Sequence, residues 1–373
     1  MSDINDIGVI NFPADLKSGH VPLSNLLMIL NPLSKHLHVF CGNLDSVKVP
    51  ENSIHYMIKH ESGNNIFSRI VNYSITQVEI SLKLLKIIDR DINWIFFIGG
   101  ESLFLPMLIL RLFRKKVYIL IAGDPALVSQ INRDPSYKLL HLLSELNLRL
   151  STYLIVYSSL IVKQRNLDKY KEKIIIGSEH YVDFNNFKIT KDYCDRDFYV
   201  GYLGHLSQLK GVMNFVESIP LIVTKKNKIK FLIGGEGPLK EKIDEYICKK
   251  KLEDRVELVG WLEREEIPSF LNKLKLIVIP SYTEGLPNVL IESMACGTPV
   301  LTTPVGAIKD IITDGYNGFI IQNNSPLYIA ENIISILKNP KILEISKNSY
   351  NFIEKEYSYG NVLKKWENIF DNG

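Results

Sequence analysis

The sequence predicts an α/β protein built as two doubly wound parallel-sheet domains. Three observations carry the prediction. Short apolar runs alternate with longer amphipathic segments in both halves of the chain. A stretch without apolar periodicity, 183–197, separates the two alternating sets. The length, 373 residues, exceeds what one hydrophobic core ordinarily serves.

In the first set, residues 7–12, 37–41, 54–58, 94–98, 117–121 and 153–157 read as buried strands. Their β-branched and aromatic residues run almost without polar interruption, as in strands covered on both faces. Helical periodicity marks 22–30, 66–88, 103–113 and 137–150. The second set opens with a strand at 198–203 and continues through helix 212–223, strand 230–234, helix 239–249 and strand 256–259. Helix 265–271, strand 276–279, a short helix after it, strand 299–302 and a helix near 327–337 complete it. The segment 357–370 is one more amphipathic helix. The expected division is 1–188, 197–356 and a terminal helix at 357–373. Two such domains on a short linker are expected to face each other across a cleft, with ligands at the carboxyl ends of the strands.

Composition removes several classes. A hydrophobic share of 46% and a charged share of 23% describe a globular protein rather than a disordered one. Net charge +3 is too weak for nucleic-acid binding and mildly favours small anions such as nucleotides, or lipid head groups. Cys41, Cys194, Cys248 and Cys296 are scattered, with no Cys-x2-Cys pair, which argues against zinc and disulfides and for a reduced, cytoplasmic setting. The acidic start lacks a signal pattern, and no apolar run reaches the length of a membrane span.

The most informative stretch is 281–301. It places Glu284 in a Gly/Pro turn and Glu292 eight positions later, on the short helix that the turn opens. Gly285 permits close backbone approach, Pro287 suits a first helical position, and Gly297 suits a helix stop. A helix mouth with unpaired N–H groups accepts a phosphate, and acids beside it accept sugar hydroxyls. Together, Glu284, Gly285, Leu286, Pro287, Asn288, the residues up to Glu292 and the run to Val300 resemble the Glu-x7-Glu signature of the retaining GT-B glycosyltransferases of family 4.

That resemblance implies a GT-B fold: two Rossmann-like domains around a central cleft, with the C-terminal helix crossing back to the first. It implies a nucleotide-sugar donor held by the second domain. Glu284 and the backbone of Gly285, Leu286, Pro287 and Asn288 would face the donor sugar and phosphates, and Glu292 the ribose hydroxyls. Gly204, His205, Lys210 and Gly211 resemble the family's phosphate-clamping loop, with Lys210 in its usual place and His205 where an Arg is usual. His205 is then either a partly charged ligand or an ordinary loop residue. Glu236 and Gly237 sit in a turn, 234–238, that resembles the family's G-x-G-P element. Leu262 ends the strand–loop junction 259–262, where the family contacts the base through backbone groups. Its neighbour Trp261 either lies by the base or packs, and packing is favoured.

The first half offers fewer signals. Asp124 follows the strand 117–121 where the family has a polar residue by the reacting sugar; it either positions a substrate or caps a turn. Gly19 and His20 follow the first strand as cleft-liners, without the family's paired glycines. The expected catalytic set is Glu284, Lys210 and Asp124. No Asp-x-Asp stands where a metal would be needed, so no metal and no cofactor beyond the nucleotide-sugar co-substrate is expected. The acceptor is a glycan, a lipid-linked or a small-molecule hydroxyl. Segment 103–116, apolar with a basic end, reads either as a buried crossover helix or as a peripheral contact on the inner face of a membrane. Two rival classes are a non-catalytic GT-B scaffold and a hydride-transferring Rossmann enzyme; the second is disfavoured because no G-x-G-x-x-G follows the first strand.

Overall fold

A computed structural model describes residues 5–12, 20–44, 47–61, 63–123, 137–197, 199–226 and 228–371. The chain divides into two compact units: residues 1–180 with 362–373, and residues 181–361.

The first unit runs β1 (Asp6–Ile10), α1 (His20–Leu30), β2 (Leu37–Cys41), β3 (Ser53–Met57), α2 (Ile66–Leu85), β4 (Ile92–Phe96) and α3 (Phe104–Leu112). It continues through β5 (Val117–Ile121), α4 (Tyr137–Leu150), β6 (Tyr153–Val156), α5 (Ser159–Gln164) and β7 (Ile174–Ile176). Its strands pair in the order β3-β2-β1-β4-β5-β6-β7, all parallel. The central strands are apolar almost throughout because helices cover both faces; every residue of β2 and β5 is buried. Asn65 starts α2 with a capping box: its side chain accepts from the Ser68 amide, and its own amide donates to Ser68 Oγ.

The second unit runs β8 (Tyr199–Leu203), α6 (Val212–Val223), β9 (Lys230–Gly234), α7 (Lys240–Lys249), β10 (Val256–Gly260), α8 (Ile267–Asn272) and β11 (Leu274–Ile279). Then come α9 (Asn288–Ala295), β12 (Val300–Thr302), α10 (Ile308–Ile311), β13 (Phe319–Ile320), α11 (Pro326–Ile336) and α12 (Ile342–Tyr357). Its sheet is parallel too, in the order β10-β9-β8-β11-β12-β13. The last helix, α13 (Tyr359–Asp371), joins the first unit from Val362 onward. There the Trp366 indole donates to the Ser178 carbonyl at 2.9 Å, and Phe370 meets Tyr118 edge-on.

Five elements escape the sequence reading: β7, β13, α5, α10 and α12. Strands of three and two residues are too short to show a period, and α12 is rich in Lys, Glu, Asn and Ser. Segment 103–116 splits in character. Leu103, Pro106, Met107 and Leu110 enter the core, while Arg111, Leu112, Phe113 and Arg114 stay exposed. Among the described residues no helix is long and apolar enough to cross a membrane.

Candidate active site

Both sheets reverse winding direction at one place: between β1 and β4 in the first unit, between β8 and β11 in the second. Loops leaving neighbouring strands there diverge and leave a crevice at the carboxyl ends, where doubly wound proteins bind ligands. In the second unit those loops are 204–211, after β8, and 280–287, after β11. They carry Lys210 and Glu284.

Lys210 and Glu284 meet. Lys210 Nζ lies 2.8 Å from Oε1 and 2.6 Å from Oε2 of Glu284, so the ammonium spans both carboxylate oxygens. Ser281 Oγ donates to Glu284 Oε1 at 2.7 Å. The Glu284 side chain is 7% exposed and that of Lys210 33%, which leaves the cation as the solvent-facing member of the pair. A polar group so enclosed is costly unless hydrogen-bonded, and Lys210 and Ser281 supply those bonds.

Backbone geometry fixes the pair. Lys210 ends a turn, Gln208–Lys210, and Gly211 follows at φ 65° to open α6. A Cβ on Gly211 would collide with the Pro280 carbonyl, so only glycine lets the two loops approach this closely. The Tyr282 amide donates to the Leu209 carbonyl at 2.9 Å, stitching loop to loop. On the far side Thr303 Oγ1 donates to the Ser281 carbonyl at 2.6 Å, and the Ala307 amide to Gly285 at 2.8 Å.

Tyr202 closes the floor, its hydroxyl donating to the His205 carbonyl at 2.9 Å. Burial, and then the charge of Glu284, push this phenol far above its ordinary value, so it remains a donor.

Loop 280–287 delivers the chain into α9. Pro287 sits just before the helix in extended backbone (φ −74°, ψ 126°), and Asn288 is the first helical residue, one position later than the sequence suggests. The stop is the expected one. Gly297 adopts φ 62°, its amide donates to Met294, and the Thr298 amide donates to Ser293, the paired bonds of a Schellman end. Leu286 is buried, under the helix mouth.

Glu292, deep on α9, is not free. Arg264 Nη1 donates to its Oε1 at 2.6 Å, and the Glu292 side chain is 5% exposed. The Arg264 guanidinium lies over the Phe187 ring, 5.0 Å from its centroid. The structure thus adds Arg264, Ser281, Thr303 and Tyr202 to the residues expected from sequence. Ser281 was legible in principle, three residues before Glu284 in one turn. A lone Arg in a loop gave no signal.

The remaining expected residues fall as follows. Gly204, Glu236 and Gly237 share the same edge: the Gly204 amide donates to Gly234, and the Leu206 amide to the Glu236 carbonyl at 2.9 Å. The Glu236 side chain pairs with Lys240 at 2.7 Å. His205 is exposed. Leu262 is half-buried, whereas Trp261 stands 60% exposed, contrary to the packing favoured from sequence. It directly follows β10, the edge strand of the sheet. In the first unit His20 begins α1 and accepts from Ser24 Oγ through its carbonyl. Gly19 and Asp124 lie outside the described residues.

Residues 185–355 match the family model described as glycosyl transferases group 1. An uncharacterized glycosyltransferase of Methanocaldococcus jannaschii is 32% identical over 184 residues, 48% of this chain and 51% of that protein. The capsular polysaccharide biosynthesis glycosyltransferase CapM of Staphylococcus aureus is 26% identical over 251 residues, 63% of this chain and 65% of its own length. The chain spans about half the length of the curated relatives it matches. Among solved structures, Anabaena HepE in complex with UDP and glucose superposes with a TM-score of 0.77 at 15% identity, over 99% of this chain and 100% of that one. The fold is that of GT-B structures: two parallel-sheet, Rossmann-like α/β domains.

Proposed function

We propose that the chain is a glycosyltransferase that moves a sugar from a nucleotide-sugar donor to a hydroxyl of a glycan or lipid-linked acceptor, with retention of configuration and without a metal. The Lys210–Glu284 pair at the second switch point, at the mouth of α9, carries this reading. The family-model match over 185–355 and a relative named for capsular polysaccharide biosynthesis support it.

Transfer breaks the bond between the anomeric carbon and the leaving diphosphate and forms a bond from that carbon to the acceptor oxygen. The acceptor proton passes to the departing phosphate oxygen. Negative charge grows on the diphosphate and positive charge on the sugar ring. Lys210, the more exposed partner of the pair, stabilises the diphosphate together with the unpaired amides at the start of α9. Glu284 holds donor-sugar hydroxyls and keeps Lys210 aimed at the crevice. Glu292 accepts from the ribose hydroxyls through the oxygen that Arg264 leaves free. Lys210 supplies the positive charge that a metal supplies elsewhere.

A panel of UDP-, GDP- and ADP-sugars tests this. Acceptor-dependent release of one nucleoside diphosphate, undiminished by EDTA, with an unchanged anomeric configuration by NMR, is the expected result. Nucleotide binding with no transfer to any acceptor would favour the scaffold reading instead. Neither binding nor transfer would end the proposal.

A further inference from the structure

Helix α2 is patterned inside out. The face it buries carries Thr76, Gln77 and Ser81 beside Ile80 and Leu84. The face it exposes carries Phe67, Val71, Ile75, Val78, Leu82 and Leu85, with Phe67 at 75% and Ile75 and Leu82 each at 59% exposure. An ordinary surface helix does the reverse. The stripe runs about 27 Å along the helix, a continuous apolar surface rather than scattered exposed residues.

α3 lies alongside. The Leu105 amide donates to Gln77 Oε1 at 2.9 Å, and the Tyr73 hydroxyl to Ser102 Oγ at 2.8 Å. Both helices connect parallel strands of one sheet, α2 from β3 to β4 and α3 from β4 to β5, so they run in the same direction and end at the same edge. There Leu112 and Phe113 are exposed at 71% and 48%. Lys115 ties this end to the chain after α2, donating to the Arg90 carbonyl at 2.7 Å.

The charge at this end is lopsided. Residues 83–91 and 111–116 hold seven Lys and Arg against two acids, Asp89 and Asp91, while the whole chain carries only +3. One of the lysines, Lys83, is already paired with Glu79.

We propose that the first unit docks on an anionic lipid bilayer through the outer stripe of α2 and the exposed basic end of α3. The stripe enters the head-group boundary, and Arg111, Arg114 and Lys116 meet anionic head groups. The contact lies on the surface only, since no described helix crosses a membrane. The same excess of positive charge opposes a second copy of the chain laid face to face on the stripe. This docking does not depend on the proposed reaction.

Flotation of the full chain with phosphatidylcholine vesicles, with and without phosphatidylglycerol, tests it. Most of the protein should float with the anionic vesicles, little with neutral ones, and high salt should release it. Phe67→Ser/Ile75→Ser/Leu82→Ser should cut partition by about tenfold or more. Arg114→Glu/Lys116→Glu should do the same, through exposed side chains that leave the melting temperature unchanged. If the serine variant fails to fold, the charge-reversal variant decides. No flotation, equal flotation on both vesicle types, or a concentration-dependent dimer in light scattering that the serine variant abolishes would each overturn the proposal.

Discussion

The two sheets are built alike and equipped differently. Each is parallel, and each turns back on itself at one pair of strands, β1/β4 or β8/β11. At the second switch point the loops carry a carboxylate forked onto a lysine, a serine on the carboxylate and a helix mouth beside it. At the first, Phe12 lies against His60 and Tyr73, the Tyr73 hydroxyl bonds to Ser102, and the carboxylate after β4, Glu101, is gripped on both oxygens by the largely buried Arg165 at 3.0 and 3.3 Å, which leaves no exposed cation on the pair. The same winding gives a crevice in both places, and only loop side chains turn a crevice into a site.

The difference is sharpest at the Lys210–Glu284 pair, so removing it should have the largest effect. Lys210→Ala or Glu284→Gln should lower kcat by about 10²- to 10³-fold with the melting temperature nearly unchanged, in the transfer assay. Turnover retained in both would dissolve the contrast between the units.

Arg264 ranks next. Arg264→Gln leaves Glu292 oriented by the fold alone, and nucleotide affinity should fall about tenfold, roughly 1.4 kcal/mol, by calorimetry. An affinity unchanged by the substitution would remove Arg264 from the site.

The smallest effect belongs to the first unit. Its conspicuous titrating cluster is structural: Asp6 bonds His38 at 3.2 Å and His36 at 3.0 Å, bracing β1 against β2. Burial alone would raise the Asp6 carboxyl, but the hydrogen bonds from His38 and His36 outweigh it and hold it below its usual value. Burial holds His38 below its own usual value, against the pull of Asp6. For both groups the unfolded chain binds protons more readily. Their stabilisation is complete above the unfolded values and is lost as pH falls. The melting temperature should drop from about pH 6.5 downward as His38 titrates, and again below about pH 4 as Asp6 does. His38→Gln should flatten the first limb in thermal melts, and an unaltered limb would refute the assignment.

Much of the fold was legible because fully buried parallel strands write themselves as apolar runs, as in the Val117–Ile121 run of β5. The Glu284–Glu292 element was legible because turn, helix and stop are local in sequence. The bond between Lys210 and Glu284 was not, since 74 residues separate them and only sheet order makes their loops neighbours. Arg264 was hidden for the same reason, 28 residues from Glu292. The outer face of α2 hid differently. Its residues 66–88 read from sequence as a helix, but periodicity alone does not say which apolar stripe the sheet will cover.

Hydrogen exchange with and without nucleoside diphosphates tests the central claim most directly, that the second switch point is the donor site. UDP, GDP or ADP should slow exchange of the amides in 204–211 and 280–292, and Lys210→Ala should abolish that protection. Protection confined to the first unit around 97–103, or protection in 204–211 and 280–292 that survives Lys210→Ala, would contradict it.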